Sequence, residues 1–567
     1  MPRKPPIIVL KLGGSVLACE ADVARAVHEI YRWSRAGHPV LAVVSAIGDA
    51  TDRLLAGAGS YGHAPSPEAT AALVATGETT SAAHLWLGCD RAGLDAVALE
   101  PADIGLRVDG PSLDARPRSV DVAALRRALD AHAAVIVPGF VGIDDRGRRA
   151  LLGRGGSDLT AVLLAHALGA RCRLVKDVDG LYERDPARPG PYARRYAQVT
   201  FDDAEALDGA ILQAKALRHA HEHGFAFEVA SLAADHATLV GAPRTTFADD
   251  DRPLRRRVAL LGFGVVGRGV WQHLLAERQR FDPIGVAVRS AKRHADAIAP
   301  RLLRGDALAL ARDPSANLVV ETMGGVALAY DCVAAALARG TDVVTANKTL
   351  LAAHGPELER LALASGARLR FSAAVGGAAP ALEAVERLAG SGIERLDGIL
   401  NGTCNVILDR LLHGAGFDDA LAEAQALGFA EADPSADIDG HDAGEKLLLL
   451  ARRAFPSEEV EEASIELRGI RGLDRIGPTT RLVASAWRSS GRLRLRVGPV
   501  DLPPEDPLAG TRGEWNALRI TLGDGRSTTV TGKGAGRWPT AEAVHADLLD
   551  LWRAGCPASA EREACHA

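Results

Sequence analysis

The sequence predicts an α/β protein in which two βαβ-type units follow one another along 567 residues. Two observations carry that expectation. Apolar runs alternate with helix-period stretches through residues 1–235, and a second such series starts near residue 256. Each series opens on a short apolar run that ends in a glycine turn: Lys11-Leu12-Gly13-Gly14-Ser15 in the first, Gly262-Phe263-Gly264-Val265-Val266-Gly267 in the second. A chain of this length exceeds one hydrophobic core, so several domains are expected.

Composition narrows the partners. With 47% apolar and 24% charged residues the chain reads as an ordinary soluble protein. A net charge of −6 with no basic half argues against nucleic acid. No apolar run is long enough for a bilayer, and Lys11 interrupts the opening apolar run too early for a secretory signal. Seven cysteines without a C-x-x-C pair fit reduced thiols. The expectation is a cytoplasmic protein acting on small molecules, with no membrane partner. Only eight of the 66 basic residues are lysines. A lysine that survives such an arginine bias does something arginine cannot, such as acting as a compact charge or proton donor.

Taken in order, Ile7–Leu10, Pro39–Val44, Ala134–Val137 and Arg173–Val175 read as buried strands, and Leu159–Leu168 as a helix, of an α/β sandwich over 1–235. Residues 236–255 are polar, with Gly241-Ala242-Pro243 and the acids Asp249–Asp251, and read as a linker. Strand Val258–Leu261, helix Gly269–Glu277 and strands Ile284–Val288 and Asp342–Val344 build a unit over 256–383. Residues 384–530 mix helices with strands such as Leu493–Val497 and Leu518–Leu522, an α+β domain. Pro539–Trp552 is a closing helix that completes the second unit through 531–555, and 556–567 is a tail.

Each turn has a chemical logic. Glycines at 13 and 14 let backbone N–H groups approach phosphate oxygens, the start of a helix expected after the turn adds partial positive charge, and Lys11 meets charge on a transferred phosphoryl. Gly153-Arg154-Gly155-Gly156-Ser157-Asp158 is a second glycine turn, whose arginine suits bidentate capture of a carboxylate. Asp177 to Pro186 carries loop carboxylates suited to a nucleotide or Mg²⁺. In the second unit the G-x-G-x-x-G turn lies between strand and helix, as a Rossmann dinucleotide site requires. The next strand ends in Arg289-Ser290, with Lys292 and Arg293 close behind and no acid for a ribose 2′-OH, which favours NADP over NAD. Asp442 and Lys446 share one helical face; taken alone, that spacing also describes a surface ion pair. His219 and His223 also share a face, but without H-E-x-x-H spacing they read as a solvated helix end.

The first half resembles the amino-acid kinase family, and aspartate kinases within it, through Lys11 to Val16, Val43 to Gly48, Gly77 to Ala82, Gly153 to Ala161 and Asp177 to Pro186. The resemblance implies an amino-acid-kinase-like sandwich that uses ATP and Mg²⁺. Lys11, Gly13, Gly14, Ser15, Asp177, Tyr182 and Asp185 would attend ATP, and Ser45, Glu78, Arg154 and Ser157 the substrate. Glu78 would take an ammonium and Arg154 a carboxylate. Ser15-Val16 departs from the usual Thr-Ser, so kinases of other small acids stay open, as does an inactive binding module. Lys215 and Ala210 compete for the position of a further family lysine.

The second half, from about Arg256 to Trp552, resembles homoserine dehydrogenases through Asn401 to Asn405, Gly428 to Pro434, Asp437 to Lys446 and Gly534 to Val544. The resemblance implies reversible NADPH-dependent reduction of aspartate semialdehyde to homoserine. Lys348 and Lys446 would handle the proton, while Glu431 and Asp442 would fix the substrate amine and the lysine geometry. Asp437 would bind substrate, and Thr322, Asn347, Lys348 and Gly534 would join the glycine turn around the cofactor. Val375 and Gly377 would hold a monovalent cation, Na⁺ or K⁺, through backbone carbonyls. Cys404 and Ser372 depart from the family pattern; Ser372 stands where glutamate is usual. The two halves together resemble bifunctional aspartate kinase–homoserine dehydrogenases without ACT-type regulatory domains. Weak or absent inhibition by threonine or lysine is therefore expected, in a homodimer or higher oligomer whose contact lies around residues 464–530.

Overall fold

The computed structural model describes residues 5–61, 65–184, 193–207, 211–234, 236–248, 255–427, 429–430, 433–458, 460–473, 476–489, 491–534 and 536–555. The chain divides into two compact units, Met1–Asp251 and Arg252–Ala567.

In the first unit, strands Ile8–Leu12, Val40–Val44, Ala134–Pro138 and Arg171–Lys176 lie parallel in the middle of a nine-stranded sheet. All but Arg171 are buried, because helices cover both faces of a parallel sheet and leave no polar side. Their carboxyl ends therefore fall side by side. These ends place Lys11, Ser45, the Gly139 turn and Lys176 along one rim, where α/β sheets gather ligands. Helix Gly156–Leu168 starts at the Gly155 turn, where φ is +79°.

Two expectations change here. No helix directly follows Ser15: a 3₁₀ turn, Glu20–Asp22, intervenes before helix Val23–Arg35. The stretch read as a linker also contains strands Thr238–Val240 and Thr246–Phe247, both in the first unit's sheet. Their short, polar sequences carry no period from which an edge of the sheet can be read.

In the second unit, six parallel strands run in the order Leu303–Arg304, Phe281–Ala287, Arg256–Leu261, Leu318–Glu321, Asp342–Thr345 and Leu369–Arg370. That is the doubly wound order, with its crevice where the order reverses, between the third and fourth strands of that list. Helix Val265–Ala276 begins directly on Gly264, earlier than the apolar pattern alone implies. A predominantly antiparallel six-stranded sheet follows, with Ile393–Ile399 between Thr480–Ser489 and Trp515–Leu522. Helices Gly402–Leu412 and His441–Ala454 pack into its core, with Ile407, Leu447 and Leu450 fully buried. The closing helix Arg537–Arg553 returns to pack on helix Val265–Ala276. The chain just beyond it is fixed by buried Arg256, which pairs with Asp342 at 2.6 Å and donates to the Gly555 carbonyl at 2.8 Å. Among the described residues no helix is long and apolar enough to cross a membrane.

Candidate active sites

The rim of the first unit is organised by Asp158, which is 1% exposed. One carboxylate oxygen meets Lys11 Nζ at 2.7 Å and the other meets Lys176 Nζ at 2.8 Å. Burial alone would raise the Asp158 pKa, but the two ammonium groups overcome it and hold the carboxyl below its usual range. Burial, reinforced by Lys176, lowers Lys11 against the opposing pull of Asp158. With both lysines charged, the three side chains sum to +1, beside the glycine turn. A Cβ on Gly13 would overlap the Lys11 ammonium and displace it from Asp158. Gly14 and Ser15 continue the turn toward solvent.

Glu78 is 2% exposed, in helix Thr76–Ala92. One oxygen accepts the Ala46 N–H at 3.3 Å, next to Ser45; the other is buried without a hydrogen-bond partner. Burial raises its pKa to about 7 against the pull of backbone N–H groups. A buried carboxylate oxygen in need of a donor suits a substrate ammonium. Ser157 is buried in the first turn of its helix, while Arg154 is exposed on the glycine turn. Lys215 ion-pairs with Asp114 and donates to the Leu152 carbonyl at 2.6 Å, which brings it against this turn. Residue 210 lies outside the described residues, as does Asp185. Asp177 is exposed at the end of its strand, as a carboxylate must be to bind a Mg²⁺ that keeps several waters. Tyr182 is buried, its hydroxyl donating to Asp179 at 2.6 Å.

In the second unit, Gly262 has φ +98°, and a Cβ there would stand 2.7 Å from the Thr322 carbonyl. A Cβ on Gly267 would meet the Gly262 carbonyl and Thr322 Oγ1. Thr322 Oγ1 in turn donates to the Leu261 and Gly262 carbonyls. The turn is thus packed from behind and open in front, where Gly264 and Val265 are exposed. Phe263 is buried and Val266 half-buried beneath it. These are the requirements for a pyrophosphate against a helix start. Arg289 and Lys292 lie exposed past the second strand. Asn347 caps helix Lys348–Ser365 by accepting from the Leu350 N–H at 3.0 Å, and its amide donates to the Gly325 carbonyl at 2.7 Å. That cap fixes where Lys348 begins its helix.

Asp442 joins the cofactor unit to the α+β domain. Its Oδ1 meets Lys348 Nζ at 2.9 Å, and its Oδ2 accepts from Lys446 Nζ and from Asn401 Nδ2, each at 2.8 Å. Burial would raise the Asp442 pKa, but the two lysines drive it well below the carboxylate range. Burial would lower Lys348, but Asp442 prevails and its pKa rises. Lys446 also donates to the Leu400 carbonyl at 2.8 Å. Asn401 Nδ2 further donates to Asp437 at 2.7 Å, and burial raises the Asp437 pKa. Asn401 therefore ties both acids together, a role its letter in a motif does not reveal. Glu431 lies outside the described residues. Gly534 fits against Asn516, whose amide reaches the Leu400 carbonyl at 3.3 Å.

Gly377, at φ +58°, packs so closely on the Lys533 and Gly534 carbonyls that a Cβ would lie 2.7 Å from each oxygen. Val375 and Gly376 end the short helix Ser372–Gly376 just before it. Ser372 turns its N–H and hydroxyl to buried Asp547, at 3.0 and 2.9 Å. Cys404 is buried, its thiol against the Asp437 carbonyl at 3.2 Å, and burial raises its pKa.

Comparison with known proteins matches the amino acid kinase family over residues 6–224. Residues 262–372 match the homoserine dehydrogenase NAD-binding domain, and 380–549 the homoserine dehydrogenase family. The homoserine dehydrogenase of Synechocystis is 37% identical over 317 residues, spanning 52% of this chain and 73% of that protein. That of Corynebacterium glutamicum is 38% identical over 318 residues, 52% of this chain and 72% of its own length. A crystal structure of a homoserine dehydrogenase from Thiobacillus denitrificans is 36% identical. It superposes with a TM-score of 0.50 over 53% of this chain and 74% of that one.

Proposed function

The chain belongs to the homoserine dehydrogenase family and carries an amino acid kinase domain ahead of it; from that premise we propose a bifunctional enzyme with defined substrates. The first unit phosphorylates L-aspartate with ATP and Mg²⁺ to aspartyl-4-phosphate. The second reduces L-aspartate 4-semialdehyde to L-homoserine with NADPH, reversibly.

The observation that carries the reductase reading is the Lys348–Asp442–Lys446 cluster at the mouth of the dinucleotide crevice. When bound, the nicotinamide supplies the hydride. The protein's own groups handle what remains: the negative charge developing on the aldehyde oxygen and the proton that quenches it. With both lysines charged, the cluster carries a net +1 around buried Asp442 and Lys446, where such charge stabilises an alkoxide. A lysine ammonium of the cluster gives the proton, and in homoserine oxidation the same group takes it back. Lys348, with its side chain 35% exposed, is the member that exchanges protons with solvent. Asp437 and Glu431 receive the substrate ammonium. Arg289 and Lys292 would meet the 2′-phosphate, and Val375 and Gly377 would hold Na⁺ or K⁺.

In the kinase, Lys11 holds positive charge at the transferring phosphoryl, fixed in place by Asp158, while Arg154 and Ser157 orient the substrate carboxyl. Glu78 favours a substrate with a free amino group over an N-acylated acid, because an ammonium both donates to its buried, unpartnered oxygen and compensates the carboxylate charge, whereas an amide N–H only donates. Purified enzyme given ATP and a panel of aspartate, glutamate and N-acetylglutamate tests this by ADP release. Aspartate alone should turn over. Turnover with another acid, or with none, would replace the substrate assignment or the kinase activity respectively.

A further inference from the structure

A trio of histidines lies on the first unit, outside the groups the phosphoryl-transfer reading uses. His166 stands in the last turn of helix Gly156–Leu168, His219 in the last turn of helix Ala214–Glu222, and His223 at that helix's C-cap. Their ring centroids are 5.8 Å (166–219), 4.8 Å (166–223) and 4.3 Å (219–223) apart. One ligand nitrogen from each lies within 4.8 Å of the others. Only the 219–223 pair is visible in the sequence. The third ring arrives from a distant helix, and that changes its meaning from a solvated helix end to a convergent donor set.

Hydrogen bonding does not account for the cluster. His219 Nε2 is buried and has no hydrogen-bond partner. His223 Nδ1 lies 2.9 Å from the His219 carbonyl and must donate to it, which leaves Nε2 as a lone-pair donor. This is the arrangement by which a backbone carbonyl orients a metal-binding imidazole. The C-terminal ends of both helices add partial negative charge, which favours a cation. Three neutral imidazoles suit a borderline transition cation and not Mg²⁺ or Ca²⁺, which take oxygen. Tetrahedral bonds of about 2.0–2.1 Å need nitrogens about 3.3 Å apart. The ligand nitrogens lie within 4.8 Å of one another, so closing on a cation calls for small rotations, chiefly of half-buried His166 toward the oriented His223 ring.

We propose that His166, His219 and His223 bind one zinc-class divalent cation, with water as the fourth ligand. The cation ties together two helices that run back to the phosphoryl-transfer rim. Asp158 and His166 sit on the same helix, eight residues and about 12 Å apart along its axis. The other helix carries Lys215, which contacts the Gly153 turn through the Leu152 carbonyl. The ion itself touches no reacting group, so its effect is to fix the spacing of these elements.

The test uses tag-free, full-length protein stripped with a chelator. Titration with Co²⁺ should give the intense visible absorption of a tetrahedral site, displaced by one equivalent of Zn²⁺. Calorimetric Zn²⁺ affinity should fall about tenfold or more in His166→Ala and His223→Ala. It should be unchanged in His221→Ala, whose ring stacks instead on Phe201 with centroids 4.9 Å apart. Absence of the tetrahedral band in the unmodified protein would overturn the proposal without reference to any variant. So would undiminished affinity in His166→Ala, or an equal loss in His221→Ala.

Discussion

Glu78 carries the clearest pH signature of any single residue. Its pKa near 7 means that below neutrality the carboxyl is protonated and cannot pair with an ammonium. The KM for the amino acid should therefore rise as pH falls through 7, while Glu78→Gln should flatten that dependence and raise KM about 10–100-fold, the worth of one charge-assisted hydrogen bond. The sign for stability is opposite. A carboxyl with a raised folded pKa costs stability above its unfolded value, so Glu78→Gln should melt higher than the parent at pH 8. Asp442 behaves the other way, since its folded pKa is depressed and its contribution is lost only as pH falls below the ordinary carboxylate range. Asp442→Asn leaves the buried Lys446 ammonium without its carboxylate, beside half-buried Lys348, so the variant should unfold at lower denaturant than the parent. Homoserine oxidation should fall about 100-fold or more in kcat in the same variant. Lys11, Lys348, Asp442 and Lys446 could all be singled out in the sequence, because rare lysines stood in sharp motifs. Lys176, Asn401 and His166 could not be assigned their parts. Each acts on a partner brought near by the fold, and no local spacing encodes that contact.

Secondary-structure elements position these groups, and the most exacting joint is the turn from strand Arg256–Leu261 into helix Val265–Ala276. Gly262→Ala adds a methyl against the Thr322 carbonyl at φ +98°, so strain and clash act together. Dinucleotide binding, followed by fluorescence quenching, should weaken at least tenfold, by about 1.4 kcal/mol or more. Beyond the next strand, Arg289→Ala and Lys292→Ala should each raise the KM for NADP about tenfold and leave that for NAD nearly unchanged. Equal effects on both cofactors would sink the 2′-phosphate assignment. The long, wholly buried strands were readable because helices on both faces make them continuously apolar. The polar strands Thr238–Val240 and Thr246–Phe247 were not, since at the sheet's edge pairing rather than side-chain pattern defines them. The helix after the Lys11 turn was expected too early, because glycine turns accept phosphate whether or not a helix follows at once.

At the scale of the whole molecule, each unit holds its own core and its own charge cluster, so the two activities should be separable by single substitutions. Lys11→Ala should abolish ADP release and leave homoserine oxidation intact, whereas Lys446→Ala should do the reverse. Both should be read on the same preparation. The tandem order was legible in the sequence from two glycine turns after two apolar runs. Pro539–Trp552 was legible as a closing helix, but the Arg256 contact to Gly555 that fixes the chain beyond it joins positions that no local pattern relates. The most direct measurement is the absorbance at 340 nm when the purified chain meets homoserine and NADP⁺. Steady NADPH formation that requires homoserine and disappears in Lys446→Ala is the predicted result; no NADPH formation by folded protein would contradict the account.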